Sequence, residues 1–180
     1  MNTLGRKGSV SRAVAAAVAA LFLVVSCRSA PETSLEDSGA ISYQVQTSRS
    51  GNDYLIHRLV VYRDESDTIE LGVVDPRDGS GNAYVLSVVF TGPEWRFMEG
   101  VVLIRVGSEL LRLRDPNPTQ SGGFREPVTE RLTVTLTRAQ FRAITNGSRV
   151  AVEPHPGVLL YVDRRGERAM RRFYDEYADI

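Results

Sequence analysis

The sequence predicts an α+β domain built mostly of antiparallel β-strands, a sandwich or half-open barrel with a C-terminal helix packed on the sheet. Three observations carry that expectation. From Ala40 onward, short runs rich in Val, Ile, Leu and Tyr alternate with polar residues at period two. Clusters of Gly, Asp, Asn, Pro and Ser break these runs at short intervals. Near the end of the chain Met170, Phe173, Tyr174 and Tyr177 fall at i, i+3, i+4 and i+7, one apolar stripe on a helix that needs a sheet to lie on.

The elements follow in order. Ile41, Tyr43 and Val45 alternate with polar residues, Tyr54 to Tyr62 is a longer apolar run, and Ile69, Leu71 and Val73 point one way. The turn clusters at 50–53, 64–67 and 75–82 join neighbouring strands, so a meander is the simplest topology. Tyr84, Leu86, Val88 and Phe90 share a face of the next strand. Val101–Val106 and Glu109–Arg114 read as a hairpin closed around Gly107-Ser108, with Leu111 and Leu113 inward and Arg112 and Arg114 outward. Two prolines and two glycines make 115–124 an irregular loop. Leu132, Val134 and Leu136 alternate with threonines in a strong strand. Thr137 caps a short helix over 138–145 that Asn146-Gly147 should end in a left-handed turn. Strands over 149–153 and 158–162 precede the terminal helix, 164–178. The hairpins RLVVYRDESDTIELGVVDP and GVVLIRVGSELLRLRDP both run into Asp-Pro, a faint echo that duplication or chance explains equally well.

Ahead of this domain lies a different kind of sequence. Arg6 and Lys7 precede an unbroken small and apolar run, AVAAAVAALFLVV, from Ala13 to Val25. That is the basic and apolar plan of an export signal, and 13 apolar residues are too few to span a bilayer. The tetrapeptide Val24-Val25-Ser26-Cys27 resembles the lipobox of bacterial lipoproteins, an aliphatic residue at −3 and a small one at −1 before an obligatory cysteine. The resemblance implies that Cys27 receives diacylglycerol and becomes the mature N-terminus, membrane-anchored by palmitate-like chains. The solitude of Cys27 agrees, since the chain has no second cysteine to pair with it. By the same resemblance, Arg28 rather than Asp after the cysteine favours the outer membrane over the inner. The expected organisation is a signal peptide over 1–26, an acylated N-terminus and flexible tether over 27–39, and a single β-rich domain over 40–180.

Composition excludes several function classes. Removal of 1–26 leaves 19 bases against 22 acids, a net charge of −3, which gives no electrostatic reason to expect nucleic acid. His57 and His155 have no neighbour at metal-ligand spacing, and no phosphate loop, dinucleotide fingerprint or nucleophile elbow occurs, so no metal or cofactor is expected. Asp64, Glu65 and Asp67 sit in a hairpin turn, where solvated acids are the expectation. Glu130 shares parity with Val128, Leu132 and Val134, which turns its carboxylate toward the core and calls for an arginine partner. Trp95, the sole tryptophan, has Phe97 on its parity and is either a core-closing aromatic or a contact platform at a loop rim. The terminal helix places Arg164, Arg165, Arg168, Arg171 and Arg172 before Asp175, Glu176 and Asp179, an order opposed to the macrodipole. A solvated face with pairs from Arg168 and Arg172 to Asp175 and Glu176 is expected there, with anionic lipid head groups as the other reading.

The leading functional expectation is a lipid-anchored envelope protein whose domain is a non-enzymatic binding or interaction module for a protein or envelope component. The alternative is a small-ligand-binding or hydrolytic domain using Glu130 and nearby arginines in a cleft.

Overall fold

A computed structural model describes residues 39–47, 53–122 and 126–178. The expected export signal over 1–26 and Cys27, together with the expected tether as far as residue 38, lie outside the described residues. The described elements are β1 (Ile41–Thr47), β2 (Asp53–Arg63), β3 (Asp67–Asp75), β4 (Ala83–Gly92), β5 (Val101–Val106), β6 (Glu109–Arg114), β7 (Thr119–Ser121), β8 (Val128–Leu136), α1 (Arg138–Asn146), β9 (Val150–His155), β10 (Val158–Tyr161) and α2 (Arg164–Tyr177).

The strands form two antiparallel sheets, one curled in the order β1-β2-β3-β4-β8-β7 and the other in the order β10-β9-β5-β6. The first four strands are the expected meander. The β5–β6 hairpin then leaves for the second sheet, with Val106 opposite Glu109 across the turn. After it the chain returns, and β8 takes the free edge of β4 from Leu136 to Val128.

Period two decides which side of the large sheet is core. Leu59, Leu71, Leu86 and Val134 fall in one cross-strand row, and all four are buried. The second sheet adds Val102, Ile104, Val150 and Val152 to the same cluster, and the helices add Phe141, Ile144, Met170 and Phe173. Each such side chain contributes on the order of 1.5–3 kcal/mol by leaving water. Tyr84 stacks on Phe141 at 4.7 Å between ring centroids, and Phe141 meets Phe173 edge-on at 6.3 Å, so sheet and helices share one aromatic seam. Tyr54, Ile56, Val74 and Val85, on the opposite parity, form a second, smaller buried cluster.

Both helices start on side-chain caps. Thr137 and Gln140 form a reciprocal capping box, and Asp163 accepts the Gly166 amide at 2.7 Å. The stripe of α2 is buried at Met170 and Phe173 and half-buried at Tyr174 and Tyr177.

Three local expectations are corrected. The loop 115–124 is not wholly irregular, because Thr119–Ser121 pairs with β8 as a short edge strand. Gly147 is extended, with φ −71° and ψ 173°, and the positive φ of 55° falls on Arg149 instead. Glycine is needed at 147 for space: a Cβ there would stand 2.2 Å from Val106 Cγ1 and 2.7 Å from the Ala143 carbonyl. On α2, the expected pairs from Arg168 and Arg172 to Asp175 and Glu176 do not form; the described ion pairs are Arg96–Asp67 and Arg131–Glu70. Arg before Glu is the weaker order for an i, i+4 pair.

Candidate functional site

The site is the segment that links β4 to β5 and the strand ends that hold it. Phe90 on β4 and Glu130 on β8 are opposite one another in register, both on the core side, and Gln120 on β7 is opposite Glu130 on its other flank. Among the described residues, no strand of the second sheet pairs with this end. The linking segment folds back across it, and Met98 is buried with Phe90, Val128 and Leu132, with Trp95 half-buried against them.

Glu130 is the hinge of that arrangement. Its side chain is 1% exposed, and its carboxylate accepts the backbone amides of Arg96, of Phe97 at 3.1 Å and of Met98 at 2.9 Å. Gln120 Nε2 donates at 3.4 Å. The core-facing parity expected for Glu130 is therefore present, but among the described residues no arginine pairs with it. Three consecutive amides and one side-chain amide satisfy the buried charge instead. Such a cradle fixes the backbone of 96–98 in one conformation.

One consequence is the exposure of Phe97. Its φ is 56°, a left-handed conformation uncommon for an aromatic residue, and its side chain is 67% exposed. Trp95 and Phe97 thus part company: the first closes the core and lines the groove beside it, and the second projects into solvent.

Arg96 locks the segment to the β2–β3 turn. Its guanidinium lies 3.8 Å from the Phe90 ring centroid, with Nη1 at 2.7 Å from Asp67 Oδ1 and Nη2 at 3.3 Å from Ser66 Oγ. Asp67 is buried, which corrects the expectation of a solvated acidic turn. Asp64 is organised as well. It accepts the amides of Ser66 at 2.8 Å and Asp67 at 2.6 Å and the Tyr62 hydroxyl at 2.6 Å. Burial alone would raise the Asp64 pKa, but the hydrogen bonds from Tyr62 and those two residues outweigh it and hold it below the usual range. Burial and the same bond push the Tyr62 phenol up to about 12.

An open groove runs between the β2–β3 turn, the Pro93–Phe97 segment and the Glu126–Val128 approach to β8. Phe90, Pro93, Trp95 and Pro127 give it an apolar floor, and Glu65, Glu94 and Glu126 are exposed carboxylates around it. Glu130 lies beneath the segment, outside the described lining. Trp95 and Glu130, picked out separately in the sequence, therefore meet at one loop, but through its backbone. Asp115 plays a comparable part farther along β8, where Oδ2 accepts the Thr133 amide at 2.7 Å and Oδ1 the Asn117 amide at 2.8 Å. Asp75, in the other Asp-Pro, accepts the Arg77 amide at 2.8 Å, so both echoing hairpins end on an aspartate bonded to the amide two residues on, with positive φ at Arg77 and not at Asn117.

Comparison with protein-family models, with curated proteins and with solved structures finds no match to this chain.

The residues that sequence reasoning missed are Phe97 as an exposed group and the Asp67–Arg96 pair. A signal for Asp67 was present: the parity that turns Ile69, Leu71 and Val73 inward reaches back to it.

Proposed function

We propose that this chain is a lipid-anchored protein of the bacterial envelope, held through Cys27, and that its domain is a binding module presenting the Trp95–Phe97 segment to a partner. The observation that supports this reading most is the use of Glu130. A carboxylate that accepts three successive amides is engaged in holding a loop, and the loop it holds projects an aromatic ring outward at positive φ. A fixed aromatic beside an apolar groove is a contact surface of low ordering cost, since little freedom remains to be lost on binding. The carboxylates of Glu65, Glu94 and Glu126 favour a partner carrying basic and apolar groups.

Two experiments test the proposal. Cells fed a clickable palmitate should label the wild-type chain and not Cys27→Ala; an unlabelled wild type removes the anchor. A photo-cross-linking residue placed at 97 should give a discrete adduct in intact envelopes, with Tyr161, 65% exposed on the other sheet, as the control position. Phe97→Asn suits the left-handed backbone and should keep the fold while weakening capture of that adduct's partner from a neighbouring probe at Glu94. The same pattern at 97 and 161, or none at either, would overturn the contact surface.

A further inference from the structure

We infer that the outward face of α2 docks on an anionic phospholipid surface, so that the domain lies against the membrane rather than standing off it. The inference rests on the proposed anchor for its orientation, and on charge and geometry for its substance.

The buried side of α2 is Gly166, Ala169, Met170 and Phe173. Arg164, Arg168 and Arg171, spaced i, i+4 and i+7, run along the opposite side with Arg165 and Arg172 flanking them, and all five are exposed. None forms an ion pair with a described carboxylate. Arg164 and Arg165 stand in the first turn, where a cation opposes the macrodipole, so helix stability does not account for them. Among the acids of the same helix, Glu167 is engaged with the Arg149 amide at 2.6 Å, and Asp175 and Glu176 lie in the last turn.

The asymmetry extends to the whole helical layer. Residues 138–146 and 164–177 carry seven arginines and three carboxylates, a net +4. The chain from 27 to 180 carries −3, so everything outside the two helices amounts to −7. A domain with that separation of charge turns its helical side to a negative surface and its remainder away.

The tether enters at the same place. A Cβ at Gly39 would stand 3.5 Å from Ala169 Cβ, and Arg165 and Arg172, at i−4 and i+3 from Ala169, share that flank of α2. Twelve residue-to-residue steps lead from Cys27 to Gly39, a span of at most about 40 Å when fully extended, so an acylated Cys27 keeps this helix within reach of the bilayer. Anchor and arginines then act together: each arginine near an anionic surface favours the docked state roughly fivefold.

The test uses the full chain with an environment-sensitive dye on Ala139→Cys, an exposed uncharged position of α1, and vesicles carrying a head-group spin label that quenches on contact. In vesicles of phosphatidylcholine with one-third phosphatidylglycerol, quenching should be strong at low salt and fall steeply as salt rises; in phosphatidylcholine alone it should be weak. Reversing Arg164, Arg165 and Arg168 to Glu should lower the docked population at least on the order of a hundredfold, with the thermal midpoint held because the three are solvated. Equal quenching in the two lipid mixtures, or quenching indifferent to the reversals, overturns the docking. Flotation with neutral vesicles reads the anchor separately: a chain that fails to float there but is quenched by anionic vesicles has lost the anchor reading and kept the docking.

Discussion

The Glu130 carboxylate accepts the buried Met98 amide at 2.9 Å, across 32 residues of chain, and thereby ties the start of β8 to the segment that carries the only tryptophan. Truncating one partner of a buried hydrogen-bonded charge costs the desolvation of what remains, about 1–3 kcal/mol for each unsatisfied amide. Glu130→Ala should therefore destabilise the domain by about 3 kcal/mol in urea unfolding and shift Trp95 emission to the red as the segment loosens. Glu130→Gln should fall between, since one end of the amide accepts as before and the other presents a donor to donors. An alanine variant with unchanged stability and emission would show that the loop does not depend on the carboxylate.

Arg96 and Asp67 form a second tie. Asp67 is nearly inaccessible while Arg96 keeps 27% of its side chain exposed, so the cost of separating them falls on the carboxylate. Arg96→Met should cost about 2 kcal/mol, moderated by the Ser66 hydroxyl that stays 2.7 Å from Asp67 Oδ2. Adding Asp67→Asn should recover part of the loss, because the unpaired charge is then gone. A double-mutant cycle checks this, and strictly additive losses would mean the pair contributes nothing beyond its separate contacts.

His57 stacks on Tyr177 at 4.2 Å, and burial lowers its pKa while Asp75 and Glu176 act against that fall. A histidine whose folded pKa lies below the unfolded value of 6.5 holds its proton more weakly in the folded state. Its contribution is complete above pH 6.5 and is lost as pH falls through the folded pKa. The thermal midpoint should thus decline from about pH 6.5 downward, and His57→Gln should flatten the upper part of that decline; an identical pH profile in the variant would assign it to the carboxylates.

Much of this architecture is legible in the sequence because burial and period coincide. The row Leu59, Leu71, Leu86 and Val134 can be written down from alternation alone, and the stripe of α2 from its spacing. Alternation cannot say where a chain leaves one sheet for another, so the departure of the β5–β6 hairpin is invisible until β8 is seen pairing with β4. The site divides the same way. Parity places Glu130 in the core, but its partners are backbone amides, which every sequence has and none advertises. Phe97 escapes because an aromatic at positive φ contradicts both its propensity and its apparent parity, and only the Glu130 cradle makes that conformation hold. Gly147 deceives in the opposite sense: Asn-Gly suggests a turn, whereas the glycine is there to let Val106 approach.

Gly166 gives the sharpest test of how α2 lies on the sheet. In an exposed helix, alanine in place of glycine stabilises by about 1 kcal/mol. Here a Cβ would stand 2.6 Å from the Val61 carbonyl and 2.6 Å from Val162 Cγ1, and Val61 belongs to the stretch of β2 where the register shifts. Backbone on one side cannot yield, so the helix must move, which costs about 1–3 kcal/mol and more than cancels the propensity gain. Gly166→Ala should lower the thermal midpoint by several degrees, while Arg168→Ala two residues away on the solvated face should leave it nearly unchanged. A Gly166→Ala protein as stable as the wild type would place α2 farther from β2 than the Val61 carbonyl contact allows.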